Sequence, residues 1–181
     1  MTLPDQLTLA RALAVPVVVV LFAWDFPNHA YWATAVFAAA MATDQVDGWL
    51  ARRRNQTSAF GSLLDPIADK VLVLATLAML VGEGTAPAWM VAAIVAREIA
   101  VSGLRLAALE RGIVMGARDL GKLKTWSQAV AATLAGLQAA GAWDVDVAWW
   151  ALLLATALTW ISGLDYARVA PRVLRGEGAA S

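Results

Sequence analysis

Asp44-Gln45-Val46-Asp47-Gly48-Trp49-Leu50-Ala51-Arg52, then eight residues, then Gly61-Ser62-Leu63-Leu64-Asp65-Pro66-Ile67-Ala68-Asp69, carry more information than any other part of this chain. Four carboxylates stand here in a sequence that is 60% hydrophobic, on stretches that otherwise look membrane-spanning. Ionisable groups at membrane depth are costly and mark function by default. On a helix, Asp44 and Asp47 are i,i+3 neighbours with Ala51 one turn further, and Gly61, Asp65 and Asp69 follow at i,i+4. Two helices that each present two carboxylates make a cage of hard oxygen ligands, suited to divalent cations such as Mg²⁺ or Mn²⁺. Gly48, Ala51 and Gly61 remove bulk beside the acids, so a large ligand can lie against the backbone. A solvated acidic face or structural ion pairs would be the plainer reading, but apolar runs flank these acids.

Outward from this stretch the chain is a series of apolar runs. Six are expected to span a bilayer, each near the ~20 residues required: Leu9 to Phe26, Ala30 to Ala51, Phe60 to Val81, Pro87 to Leu109, Leu120 to Ala140 and Val147 to Val169. Pro4-Asp5 starts a short helix, Leu3 to Leu9, expected to lie in the interface. The spacing predicts an all-α integral membrane protein with a single domain over 1–175 and a flexible tail, Gly176 to Ser181. The segment nearest the N-terminus lacks the basic flank of a cleavable signal peptide. Pro66 would lie either inside a membrane helix, its freed carbonyl facing a polar cavity, or in a first helical turn.

Composition excludes several classes. The 181 residues carry 14 basic and 14 acidic side chains, so no net charge points to nucleic acid. There is no Cys, which removes disulfides, thiolate metal sites and thiol catalysis. The single His29 falls in a short connection and reads as an ordinary surface residue. The loops near 25–30, 82–87 and 141–147 hold acids and no Lys or Arg, whereas Arg52–Arg54, Arg105, Arg111, Arg118, Lys122, Lys124, Arg168, Arg172 and Arg175 gather at the opposite ends. The positive-inside rule makes that basic side cytoplasmic, with both termini and the four aspartates near it. Trp24, Trp32, Trp89, Trp143, Trp149 and Trp150 mark the other interface.

The eight fixed identities from Asp44 to Asp69 resemble, without departure, the signature of the CDP-alcohol phosphatidyltransferases, integral membrane enzymes of phospholipid synthesis. The resemblance implies that family's six-helix membrane fold and two Mg²⁺ or Mn²⁺ ions on Asp44, Asp47, Asp65 and Asp69. Asp69 would also be general base toward the acceptor hydroxyl. It implies a nucleotide pocket lined by Asp47, Gly48, Ala51, Arg52 and Gly61, with Thr8 and Arg11 of Leu-Thr-Leu-Ala-Arg nearby. The guanidinium fork of Arg52 suits a pyrophosphate oxygen.

The acceptor depends on other residues. Arg97 and Arg105 are eight apart on one helical face, and Gly121-Lys122-Leu123-Lys124-Thr125 opens the fifth segment. They read either as an anion pocket or, for Arg97, as a structural pair with Glu98 or an aspartate. With Leu-Asp-Pro-Ile-Ala-Asp-Lys ending at Lys70, these stretches resemble the family's bacterial members that use glycerol 3-phosphate; the likeness runs from Leu3 to the end of the fifth segment and fades in the sixth. It implies a phosphatidyl transfer from CDP-diacylglycerol to sn-glycerol 3-phosphate, giving phosphatidylglycerol phosphate and CMP. The acceptor phosphate would sit on Arg97, Arg105, Lys122 and Lys124, in a homodimer in the bacterial inner membrane. Phosphatidylglycerol as acceptor (a cardiolipin synthase) is the runner-up, an inositol phosphate the third. A small cation transporter, the reading from another class, has no need of Gly48, Ala51, Arg52 and Gly61 at these offsets and would show paired repeats.

Overall fold

The computed structural model describes residues 3–54, 59–110, 119–143 and 146–175, and the side chains of 9–43, 70–110, 121, 123–143, 146–164 and 166. Six helices follow one another: α1 Leu3–Ala23, α2 His29–Arg54, α3 Ala59–Gly82, α4 Ala88–Glu110, α5 Asp119–Ala139 and α6 Val147–Arg175. No strand occurs among the described residues. The stretch Leu3 to Leu9, expected as a separate interfacial helix, is instead continuous with the rest of α1. Pro4 lies at its start, where a missing amide proton costs nothing, and Pro16 is carried within it. Pro66 lies well inside α3, not in a first turn.

The turn residues do what their chemistry allows. At the end of α3, Thr85 N–H bonds Leu80 C=O and Gly84 N–H bonds Val81 C=O; at the end of α5, Ala142 bonds Leu137 and Gly141 bonds Gln138. Both are Schellman motifs, and Gly84 (φ 75°) and Gly141 (φ 77°) hold the left-handed position that such caps require.

Helix α5 is the hub, packing on α6 most extensively and also on α2 and α3. Its inward face, Ala131, Ala132, Ala135 and Gly136, is small and buried, which lets neighbouring backbones approach closely. A Cβ on Gly136 would run into the Thr34 hydroxyl of α2. Helix α1 packs on α2 and α3, and α4 on α6. Val18, Phe37, Leu72, Leu77, Leu80, Met90, Ile94 and Leu152 fill the core.

Large apolar side chains also face outward, among them Leu13, Val20, Trp24, Leu106, Trp150 and Leu164. Exposed apolar side chains in this number suit surroundings other than water. Among the described residues one stretch, Val147–Leu164, is long and apolar enough to cross a bilayer, while Leu9–Ala23 and Lys70–Gly82 are shorter apolar helices. Charges interrupt the others: α4 carries Arg97, Glu98 and Arg105, and α2 carries the Asp44–Arg54 stretch. His29 is not the ordinary surface residue expected. It is half-buried, with Nε2 3.2 Å from Glu83 Oε1 and Nδ1 3.2 Å from Phe26 O, and so ties the α1–α2 turn to the end of α3.

Candidate active site

Asp44, Asp47, Gly48, Ala51 and Arg52 lie on α2, and Gly61, Asp65 and Asp69 on α3. Both runs are helical, as the i,i+3 and i,i+4 spacing needs, and α2 and α3 touch. The side chains of these eight residues, and those of Thr8 and Lys122, lie outside the described ones. Among the described residues no group of three or more His, Cys, Asp or Glu gathers. The candidate donors that the sequence places on α2 and α3 are all carboxylates, and His29 is committed to Glu83 and Phe26 at the other end of α2. That chemistry fits a hard divalent cation and no thiophilic one.

Around this pair of helices the described basic residues are all engaged. Arg11 is buried on α1, the helix that packs on both α2 and α3. Lys70, the residue after Asp69, is half-buried and donates to Ser102 Oγ of α4 at 2.6 Å, which joins α3 to α4. The continuation of α3 past Asp69 is thereby tied to the helix that carries the arginines.

Arg97, expected as an acceptor-phosphate ligand, is 4% exposed. Its Nη1 donates to Glu98 Oε1 at 3.2 Å and its Nη2 to Ser162 Oγ at 2.7 Å. Glu98 Oε1 also accepts from Lys124 Nζ of α5, and from Gln128 Nε2 at 3.4 Å. Gln128 donates onward to Thr159 Oγ1 of α6 at 2.7 Å, and Ser162 Oγ donates to Thr159 O at 2.9 Å. Backbones of α4 and α5 do not approach closely among the described residues. The Lys124–Glu98 ion pair spans the space between them, as two long side chains can. Arg105 turns to Tyr166: its Nη2 donates to the phenol oxygen and its Cζ lies 5.0 Å from the ring centroid.

The structure thus brings Arg97 and Lys124 together on one carboxylate, and Arg97 and Arg105 together on one ring. The structural pair expected of Arg97 is present, with Glu98, and the same guanidinium lies in a cluster of three cations. Sequence reasoning did not find Ser102, Gln128, Thr159, Ser162 and Tyr166. A signal existed in α6, where Thr159, Ser162, Gly163 and Tyr166 recur at i, i+3, i+4 and i+7, a polar stripe on a helix expected to face lipid.

A pattern described as CDP-alcohol phosphatidyltransferase matches residues 1–161. With the signature aspartates on adjoining helices, this chain belongs to the CDP-alcohol phosphatidyltransferase family, whose members are divalent-metal-dependent transferases. It is 43% identical over 141 residues to the CDP-diacylglycerol–glycerol-3-phosphate 3-phosphatidyltransferase of Bacillus subtilis, covering 71% of this chain and 73% of that one. It is 39% identical over 177 residues to a probable phosphatidylglycerophosphate synthase of Mycobacterium tuberculosis (96% and 84% covered). A Pseudomonas fluorescens CDP-diacylglycerol–glycerol-3-phosphate 3-phosphatidyltransferase matches at 38% over 192 residues, 98% of this chain and 94% of the relative. The family and the apolar Val147–Leu164 segment point to a membrane protein.

Proposed function

We propose that this chain is a membrane phosphatidyltransferase that moves the phosphatidyl group of CDP-diacylglycerol to sn-glycerol 3-phosphate, forming phosphatidylglycerol phosphate and CMP. One observation carries the reading: the complete Asp44-to-Asp69 signature falls on two adjoining helices, in a chain related along most of its length to enzymes named for that reaction.

Asp44, Asp47, Asp65 and Asp69 would hold two divalent cations, Mg²⁺ or Mn²⁺, whose charge when bound stabilises the pyrophosphate oxygens. Arg52 grips a further phosphate oxygen, and Thr8, Arg11, Asp47, Gly48, Ala51 and Gly61 surround the nucleotide. Asp69 takes the proton of the acceptor's 1-hydroxyl. That oxygen forms its bond to the β-phosphorus as the bond to CMP breaks, and the leaving electrons stay on CMP.

Arg97, Arg105, Lys122 and Lys124 receive the acceptor's phosphate. The cluster of Arg97, Arg105 and Lys124 supports this, because guanidinium forks and a lysine on one site are what a phosphate monoester needs. An apolar groove of about 360 Å³ lies between α2 and α5, bordered by Ala38, Met41, Ala42, Trp126 and Ala129. It begins one turn before Asp44 and suits a donor acyl chain. All six helices cross the bacterial inner membrane, charged residues notwithstanding, with the aspartates toward the cytoplasm, and two copies form a dimer.

The test is an acceptor panel with purified protein and CDP-diacylglycerol, scored by CMP release. Glycerol 3-phosphate should be consumed, and phosphatidylglycerol, inositol phosphate and glycerol should not. Turnover with phosphatidylglycerol alone would make the chain a cardiolipin synthase.

A further inference from the structure

We infer that Tyr166 of α6 is a positioning residue for acceptor selectivity: its ring and hydroxyl clamp Arg97 and Arg105 into one phosphate-receiving pair. The inference rests on the acceptor reading above and assigns a role to a residue beyond the family match, which ends at residue 161.

Arg97 and Arg105 are eight residues apart on α4, so their backbones stand about 12 Å apart along the axis. Two like charges would splay if nothing held them. Yet both guanidiniums reach the same ring, Arg97 Cζ at 5.8 Å and Arg105 Cζ at 5.0 Å from the Tyr166 centroid. The electron-rich face of an aromatic ring attracts cations at this range, and Tyr166 is itself buried. Its phenol accepts a hydrogen bond from Arg105 Nη2, so ring and hydroxyl act on Arg105 together.

The rest of the α6 stripe fixes Arg97. Ser162 Oγ accepts from Nη2 and is itself oriented by donating to Thr159 O. Gly163 leaves room for the side chain: a Cβ there would stand 3.2 Å from Arg97 Nε and 3.4 Å from Cγ. With these contacts made, the Nε groups of both Arg97 and Arg105 are buried and find no hydrogen-bond acceptor among the described residues. Buried donors normally have partners. Two guanidiniums gathered on one ring, with hydrogen-bonding capacity left unsatisfied, suit an anion such as phosphate.

The experiment uses the full chain in nanodiscs, as wild type, Tyr166→Phe and Tyr166→Leu. Inorganic phosphate is titrated calorimetrically without donor lipid, KM is measured for glycerol 3-phosphate and for CDP-diacylglycerol, and thermal melts are recorded. Phenylalanine keeps the ring and loses the hydroxyl, so KM for glycerol 3-phosphate should rise about 3- to 10-fold. Leucine loses both and should weaken phosphate and glycerol 3-phosphate about 10- to 100-fold. KM for CDP-diacylglycerol should stay within about 2-fold in both variants, since the clamp touches neither nucleotide nor donor phosphates. If Tyr166→Leu does not fold, Tyr166→Phe and Gly163→Ala decide the matter, the latter pressing on Arg97 without removing a charge. Unchanged phosphate affinity in the folded variants overturns the inference. So does an equal rise of both KM values with a lowered melting temperature, which is the mark of a merely structural residue. A wild type that consumes phosphatidylglycerol and not glycerol 3-phosphate sinks the acceptor reading instead, and the phosphate titration then still judges Tyr166.

Discussion

Glu98→Gln removes the one carboxylate that the described residues supply to both Arg97 and Lys124, while keeping the shape of the side chain. Glu98 is 3% exposed, Arg97 4% and Lys124 7%, so the change leaves cations deep in the protein facing an uncharged amide. Breaking a buried ion pair from one side costs about 3–5 kcal/mol. Glutamine still offers a carbonyl oxygen as acceptor, which argues for the lower end, about 3 kcal/mol. In a chain of 181 residues, one kcal/mol moves the melting temperature by about 2–4 °C, so Tm should fall by about 6–12 °C. Lys124→Gln in the same background should cost less than the sum of the two single changes, by about 1 kcal/mol or more, since both substitutions remove the same ion pair. Inorganic phosphate should raise the Tm of Glu98→Gln more than that of wild type, because the anion replaces the lost carboxylate. Thermal unfolding of the detergent-purified protein by intrinsic tryptophan fluorescence, with and without phosphate, measures all three. A Glu98→Gln protein that melts within about 2 °C of wild type refutes the reasoning, because the carboxylate would then not be holding the cations.

Other expectations concern the reaction and the packing beneath it. Asp44→Asn or Asp65→Asn should abolish CMP release while the protein still inserts and melts cooperatively, and EDTA should do the same to wild type until Mg²⁺ or Mn²⁺ is returned; full turnover in chelator would exclude the two-metal mechanism. Asp69→Asn should lower kcat by roughly 10²- to 10⁴-fold, the usual scale of a lost general base, with a smaller change in CDP-diacylglycerol binding; a parallel loss of both would make Asp69 chiefly a metal ligand. Gly136→Ala should destabilise by about 1–3 kcal/mol through overpacking against Thr34, and Thr34→Ala in the same chain should recover much of that Tm.

Helix positions were legible because each rests on local signals. Apolar runs bounded by Gly84 and Gly141 correctly anticipated where α3 and α5 end, since a left-handed cap is a property of a few consecutive residues. Where reading failed, one cause was local and the other was not. Leu3 to Leu9 carries no break that would part it from the rest of α1, and the helix simply continues. His29 looked free because its partner Glu83 stands 54 residues away.

The same division holds for the site. By itself the amino-acid order specified the four aspartates, their helical spacing and hence the family, because a motif of fixed offsets can be read before any packing is known. It also singled out Arg97, Arg105 and Lys124 as an anion pocket or, for Arg97, a structural pair with Glu98 or an aspartate. What these cations touch was settled only by the packing of α4, α5 and α6. Glu98 joins Arg97 to Lys124 across two helices whose backbones do not meet among the described residues, and Tyr166 gathers Arg97 and Arg105 from a third. Such contacts join residues up to 69 positions apart, and a side-chain network of that reach depends on how the helices dock, which no local periodicity records.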